Sequence, residues 1–246
     1  MVTPLITSIN RPYLPGLKAL YNSYLANAGE GFEFYCIVDG DDSLFDEVRG
    51  LGINAVHLPG WAKDYPTSPA WPEKIKSLYA PLLVPVLFSE YERAIWIDAD
   101  CVIVAPITGL LDYQFKQPVA ACRPNKEIYI LEKMAVGCDD AIGKVAGMFG
   151  GLYLFNIPEW NRLDVTAKCA EAMTDTSIVF KWAEQSVLSF VVRGNFYEIP
   201  MSWQTFAHRK SVNIKRAIIL HWLGCLPWRD KVRNRAQWEK YAAKDQ

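Results

Sequence analysis

Two aspartates sit inside an apolar run near the middle of this chain, Arg93-Ala-Ile-Trp-Ile-Asp98-Ala-Asp100-Cys-Val-Ile-Val-Ala-Pro106. Ile95, Trp96 and Ile97 lead in, and Val102, Ile103 and Val104 lead out. A run this short, rich in β-branched and aromatic residues, reads as a buried strand. Charges inside such a run are costly to bury unless something neutralises them. In a regular strand alternate side chains share a face, so Asp98 and Asp100 project the same way. A divalent cation held by both removes their repulsion. Hard carboxylate oxygens suit Mg²⁺ or Mn²⁺, ions that in turn suit phosphate. Without the ion the two carboxylates should repel, so Asp100→Asn should leave the metal-free fold as stable as before, or slightly more so. The competing reading ends the strand at Ile97 and leaves both acids in a solvated loop.

The chain has 246 residues, enough for one α/β domain with a full core or two small ones. A net charge of −1 and the lack of a long basic run speak against nucleic acid as a main partner. The start, Met1-Val-Thr-Pro-Leu-Ile, shows no basic segment followed by an apolar stretch, so no secretory signal is expected. The best candidate for a membrane span, Leu78 to Phe88, is short and broken by Pro81 and Pro85, so no transmembrane segment is expected. None of the six cysteines forms a Cys-x-x-Cys pair, and several lie in apolar runs, which together point to a reduced, cytoplasmic protein. A phosphatase of the Asp-x-Asp-x-Thr kind carries its nucleophile on the first strand and follows it with Thr. Here the motif is mid-chain and is followed by Cys101 and Val102.

In chain order, Leu5 to Ile9 reads as a first strand and Leu17 to Ala28 as a helix ended by Gly29 and Gly31. Phe32 to Val38 reads as a second strand running into Asp39-Gly-Asp-Asp42. Polar loops at the carboxyl ends of strands are where α/β sheets bind ligands. No Gly-x-Gly-x-x-Gly or Walker loop is present, so a bound nucleotide is not held by a helix-dipole phosphate cradle. Asp42 to Leu51 reads as a short helix, Ile53 to Leu58 as a strand, Gly60 to Pro72 as an ordered surface loop, and Pro72 as the start of a helix carrying Lys74. Val119 to Cys122 is a short strand, and residues 123–146 show no clear period and read as a flap or a helical insertion. Leu152 to Asn156 is a strand entered through Gly150-Gly151. Pro158 to Met173 and Val179 to Val192 read as two helices, the second carrying Glu184 and Gln185. Ala217 to Leu220 is a buried strand that delivers His221-Trp-Leu-Gly224-Cys-Leu-Pro227-Trp228, a glycine-containing turn whose backbone N–H groups could meet an anion. Trp238 and Tyr241 lie on a last helix.

Four of these features together resemble a known family. Asp98-Ala-Asp100 after an apolar strand, Gly150-Gly-Leu-Tyr-Leu-Phe-Asn156, Glu184-Gln185 and His221-x-x-Gly224…Pro227-Trp228 occur in the order seen in retaining GT-A glycosyltransferases of the glycogenin and lipopolysaccharide galactosyltransferase type, often called family 8. The resemblance runs from about Thr3 to Trp228. It implies a single GT-A-like α/β domain over 1–246, a Rossmann-like mixed sheet with helices on both faces. Residues 1–105 would form the nucleotide-binding half, 106–230 the acceptor-side half and 231–246 a C-terminal helix. It implies a nucleotide-sugar donor, usually a UDP-sugar, held with Mn²⁺ (or Mg²⁺), and a saccharide or other hydroxyl acceptor. Asp98 would touch ribose and metal, Asp100 would be the main carboxylate ligand and His221 the third protein ligand. Thr7 and Tyr13 would meet the base, Asp39 would sit near the uracil edge, Lys74 would contact the donor and Gly224 would belong to the same donor site. Gln185, with Glu184 in place of the family's Asp, would lie beside the transferred sugar.

Three positions depart from the family pattern. Leu226 replaces the lysine before Pro-Trp in a loop one residue shorter, which leaves Arg229, Lys231 or backbone donors to meet the diphosphate. Glu184 stands for Asp, and Met148-Phe-Gly-Gly151 lacks a sugar-facing Asn. The expected activity is metal-dependent transfer of a hexose to a hydroxyl with retention. The rivals are an inverting GT-A transferase, a nucleotidyltransferase, and a sugar-nucleotide binder without catalysis.

Overall fold

The computed structural model describes residues 2–66, 76–210 and 212–242. The chain forms two compact units, one from residues 1–57, 96–114 and 201–246, the other from 58–95 and 115–200.

The first unit opens with β1 (Thr3–Ile9), a short 3-10 turn at Arg11–Tyr13 and α1 (Leu14–Asn27). Pro15 falls in the first turn of α1, where its missing N–H costs nothing, and Gly29 and Gly31 follow with positive φ. Strand β2 (Phe32–Val38), helix α2 (Asp42–Gly50) and strand β3 (Asn54–His57) complete the run. Asp41 caps α2 by accepting the Leu44 N–H at 2.9 Å. Strands β1, β2 and β3 pair parallel, with Thr7 opposite Cys36 and Ile9 opposite Val38. Parallel strands buried on both faces explain the near-continuous apolar runs: Leu5, Ile6, Ile9, Cys36, Ile37 and Val38 are all buried.

In the second unit come a 3-10 segment at Gly60–Asp64, another at Lys76–Leu82, and α3 (Val84–Leu87). The expected helix start at Pro72, with Lys74, lies outside the described residues.

Strand β4 (Arg93–Ile97) and strand β5 (Cys101–Ile103) correct the reading of the central run as one strand. The strand stops at Ile97, and Asp98-Ala99-Asp100 form a turn closed by the Cys101 N–H on the Asp98 carbonyl at 3.1 Å. The competing reading is right that the strand ends at Ile97 but not that the acids are solvated, since only 9% of the Asp100 side chain and 33% of the Asp98 side chain are exposed.

After β6 (Val119–Cys122), the stretch without clear period holds α4 (Leu131–Met134), β7 (Ala135–Val136) and α5 (Asp140–Gly143). Then follow β8 (Leu152–Asn156), α6 (Ile157–Arg162), α7 (Val165–Thr174), β9 (Val179–Phe180), α8 (Ala183–Val192) and β10 (Tyr197–Ile199). Strand β6 pairs parallel to β10 and antiparallel to β8, so this part of the sheet is mixed. Each of the two long helices read from the sequence is broken. Asp164 takes a left-handed conformation (φ 51°) and separates α6 from α7. Val179 and Phe180 are drawn out as a strand by antiparallel pairing with β7, and α8 begins only at Ala183.

The chain returns to the first unit with β11 (Gln204–Phe206), β12 (Ile219–His221) and α9 (Arg235–Ala242). Strand β12 lies between β11, to which it is parallel, and β5, to which it is antiparallel. Helix α9 packs on α1. Asn22 donates to the Tyr241 carbonyl at 2.8 Å and Asn27 to the Tyr241 hydroxyl at 2.9 Å. Among the described residues no helix is long and apolar enough to cross a membrane. The six cysteines are free.

Candidate active site

The turn Asp98-Ala99-Asp100 brings its carboxylates to the end of β12. His221 is the last residue of that strand, not the first beyond it, and is fully buried. Its Nε2 lies 2.9 Å from Asp100 Oδ1 and 3.6 Å from Asp98 Oδ2. Two neighbouring acids and a histidine distant in sequence thus converge, by a turn and a cross-strand pairing and not by alternation along one strand. Asp98 Oδ1 also accepts the indole N–H of Trp96 at 2.8 Å. The Asp100 carbonyl accepts the Trp222 N–H at 3.3 Å, which ties the turn to the segment after β12.

Leu223 and Gly224 both have positive φ, 30° and 72°. This twist points the Gly224 N–H at Asp100 Oδ2, 3.4 Å away. The anion that this backbone donor meets here is the chain's own carboxylate. A Cβ at Gly224 would meet nothing within 4 Å, so the requirement for glycine is conformational.

Electrostatics follow from burial and pairing. Burial opposes the ionised form of Asp100, but the His221 charge and hydrogen bond outweigh it and hold this carboxyl below its usual range. Burial likewise opposes the imidazolium of His221, and Asp100 outweighs it, so the histidine is held well above 6.5. Asp98 is pushed up to about 6, chiefly by burial. Cys101, directly opposite His221 across the β5–β12 pair, is driven up to about 12 by burial. Ligand atoms of Asp100, Cys101 and His221 all lie within 4.8 Å of one another. Carboxylate oxygens with an imidazole nitrogen form a donor set that fits a divalent cation.

A second layer braces the turn. Trp228 stacks edge-on against Tyr13, with ring centres 5.5 Å apart, and its indole N–H donates to the Pro12 carbonyl at 3.1 Å. Gly16 of α1 leaves room for both: a Cβ there would lie 2.6 Å from the Ala99 carbonyl oxygen and 2.7 Å from the Trp228 ring. Burial raises the Tyr13 pKa; Asp100 and Asp98 add to that, and Arg229 opposes it. Tyr13 is therefore an electrostatic neighbour of both acids and of Arg229. Further along β1, the Oγ1 of Thr7 is buried without a hydrogen-bond partner, and so is Asn10 Oδ1 just past the strand. Asp39, at the end of β2, donates its backbone N–H to the Ile9 carbonyl at 2.8 Å.

In the second unit, Gln185 Oε1 accepts the Gly150 N–H at 3.0 Å. A Cβ at Gly150 would meet Glu184 Oε1 at 2.5 Å, the Tyr153 hydroxyl at 2.8 Å and the Gln185 Cβ at 3.1 Å, so a glycine at 150 leaves room for these side chains. Ala183, immediately before them, is held at φ 41°, a strained conformation for a residue with a Cβ.

The sequence model of glycosyl transferase family 8 matches residues 4–232. The chain belongs to glycosyl transferase family 8. Its mixed α/β fold is of the GT-A type. No curated protein matches it in sequence. Among solved structures, the galactosyltransferase LgtC in complex with donor and acceptor sugar analogues superposes with a TM-score of 0.73 at 15% identity, covering 98% of this chain and 95% of LgtC. WbbM, a bifunctional glycosyltransferase, gives 0.74 at 17% identity over 99% of this chain and 50% of its own. GlyE of Streptococcus pneumoniae TIGR4 gives 0.71 at 14% identity over 100% of this chain and 61% of its own. The family 8 chain thus spans half the length of WbbM and about three fifths that of GlyE. At these identities the likeness is one of fold.

Sequence reasoning singled out Asp98, Asp100, His221, Gly224 and Tyr13, and the structure places all of them in the first unit around one turn. It did not single out Cys101 or Asn10. The signal for Cys101 was its place next to the acidic turn, but only the β5–β12 register puts it opposite His221.

Proposed function

We propose that this family 8 glycosyltransferase moves a hexose from a nucleotide-diphosphate sugar, a UDP-sugar, to a hydroxyl acceptor with retention, using a divalent cation such as Mn²⁺ or Mg²⁺. The observation that carries the reading is the convergence of Asp98, Asp100 and His221 at one partly buried point. Asp100 and His221 would hold the cation, with Asp98 bridging toward the donor ribose. When bound, the ion would neutralise the diphosphate and stabilise it as a leaving group. The chain's own groups do the remainder. Thr7 and Asn10 offer buried polar atoms without partners, which suits recognition of a base. Tyr13 and Asp39 would border the nucleoside, Gly224 would adjoin the donor while its N–H holds Asp100, and Arg229 would supply the positive charge that Leu226 cannot. Glu184 and Gln185 would face the transferred sugar. A retaining transfer needs no dedicated base, since the departing phosphate oxygen can take the acceptor's proton. LgtC, described with donor and acceptor sugar analogues, supports a two-substrate reaction of this kind on this fold.

The test is UDP binding by calorimetry with Mn²⁺ and with EDTA, followed by turnover of UDP-hexoses with the product anomer read by NMR. Binding that requires the ion, and a product of unchanged anomeric configuration, are expected. UDP affinity indifferent to EDTA would defeat the metal assignment, and an inverted anomer would defeat retention.

A further inference from the structure

We infer that Cys101 is a thiolate ligand of the cation, so that this site is built for a thiophilic divalent ion of the Zn²⁺ or Co²⁺ class over Mg²⁺. The inference rests on the metal site read above and changes the class of ion that its ligands favour. Four of the other five cysteines give a baseline. Cys36, Cys122 and Cys169 are buried, Cys138 is half-buried, and among the described residues none belongs to a cluster of metal-ligating side chains. Buried cysteine usually behaves as a small apolar residue. Cys101 differs because its neighbours are an imidazole and a carboxylate.

The geometry follows from the backbone. Cys101 and His221 are direct partners across the antiparallel β5–β12 pair, and directly opposed side chains stand on the same face. The turn before Cys101 brings the Asp100 carboxylate to that same point. One oxygen, one nitrogen and one sulfur then lie within 4.8 Å of one another. A cation with metal–sulfur bonds of about 2.3 Å and metal–nitrogen or –oxygen bonds of about 2.0–2.2 Å can take all three after small side-chain rotations. Sulfur in the set shifts the preference toward soft and borderline ions, whereas Mg²⁺ favours oxygen and water.

Gln204 supplies a second observation. It is fully buried on β11, and its Nε2 faces the Cys101 sulfur at 4.0 Å. Its own Oε1 is buried and accepts no hydrogen bond. An amide that turns its N–H groups to a sulfur, at the cost of an unsatisfied carbonyl, suits a sulfur that carries negative charge. Outer partners of this kind orient and tune metal ligands. On binding, the metal–sulfur bond forms as the S–H proton leaves to solvent, with no change of oxidation state.

The experiment is absorption spectroscopy of the full-length, reduced, metal-stripped chain during Co²⁺ titration. A sulfur-to-cobalt charge-transfer band in the near ultraviolet should grow to one equivalent and be abolished by Zn²⁺. Cys101→Ala should lose that band while keeping visible d–d absorption, and its Zn²⁺ affinity should fall by at least the roughly 10–100-fold that loss of an outer partner costs. Cys225→Ser and Cys138→Ser should keep the band. Absence of the band in the wild type, or its loss in Cys225→Ser or Cys138→Ser, decides against Cys101 without the Cys101→Ala variant, so failure of Cys101→Ala to fold does not protect the proposal. One equivalent of Co²⁺ bound with d–d bands and no charge-transfer band overturns the role of Cys101 and leaves the metal reading standing. A band that vanishes in Cys225→Ser and persists in Cys101→Ala also overturns it. No uptake of Co²⁺, Zn²⁺ or Mn²⁺ by the wild type sinks both readings together.

Discussion

His221 lies against both carboxylates, and its imidazolium offsets their charge. The repulsion expected from the Asp98–Asp100 pair alone is therefore not what governs the metal-free chain. Asp100 is the histidine's main partner at 2.9 Å, so Asp100→Asn should destabilise the metal-free fold by about 1–3 kcal/mol, contrary to the sequence expectation. Asp98 behaves differently. Its folded pKa of about 6 lies above the ordinary 3.8, so its contribution is present below 3.8 and lost as pH rises through 6. Above that the ionised group is a net cost, and Asp98→Asn keeps an oxygen for the Trp96 N–H. Its melting temperature at pH 8 should equal or exceed wild type. Both variants should lose turnover. Unequal stability with equal loss of activity, read by calorimetry beside a donor-turnover assay, is the expected pattern; two equally stable variants would refute it. For His221, raised above 6.5, the stabilising pair is complete below 6.5 and is lost as pH rises through the elevated folded value. A cation competes with that same proton. With the Cys101 thiol proton displaced as well, metal affinity should climb with pH by about a hundredfold per unit through neutrality, with close to two protons released per ion. Calorimetry in buffers of different ionisation enthalpy would show it, and affinity flat between pH 6.5 and 8 would contradict it.

At the scale of elements, the acidic turn is held between the start of α1 and the segment after β12. Gly16 is the contact point. Replacing it by alanine gains helix propensity of about 1 kcal/mol, but places a methyl inside van der Waals range of a backbone oxygen and an indole. Overpacking of this kind costs about 1–3 kcal/mol, and neither neighbour is the loose end of a flexible chain. The steric term wins, so Gly16→Ala should lower the melting temperature and weaken metal binding together. A variant with a higher melting temperature and intact metal affinity would show that the turn is not braced there. The broken helices at Asp164 and Ala183 belong to this scale as well. Apolar periodicity continues through both breaks, and it carries no information on backbone conformation at a single residue.

Across the whole molecule, the first unit is assembled from three separated segments, and its last one carries both His221 and α9. Trp238 of α9 is buried with Ala19, Val102, Leu220 and Trp222, residues from all three segments. The Trp222 indole donates to the Arg233 carbonyl at 3.0 Å, which links the residue after His221 to the approach to α9. Trp238→Ala should therefore cost about 3–5 kcal/mol and reduce metal affinity although it touches no ligand. Denaturant titration beside Mn²⁺ binding would test this, and loss of stability with unchanged metal affinity in the folded fraction would show that the two are uncoupled.

The sequence by itself determined most strands and their type, because a strand buried on both faces must be apolar throughout: β2, β6 and β8 have the bounds read from composition alone. It also marked Asp98, Asp100, His221 and Gly224, because acids, a lone histidine and a glycine stand out against apolar runs. It did not determine how those residues meet. Local sequence is compatible with a continuous strand through Asp98 and Asp100, and it was the antiparallel docking of β5 on β12 that turned the chain at that point. Strand β11 was invisible, since three residues, two of them polar, carry no period. The neighbours of Cys101 were decided only by register, a property of two strands more than a hundred residues apart in the chain, and no pattern within either strand encodes it.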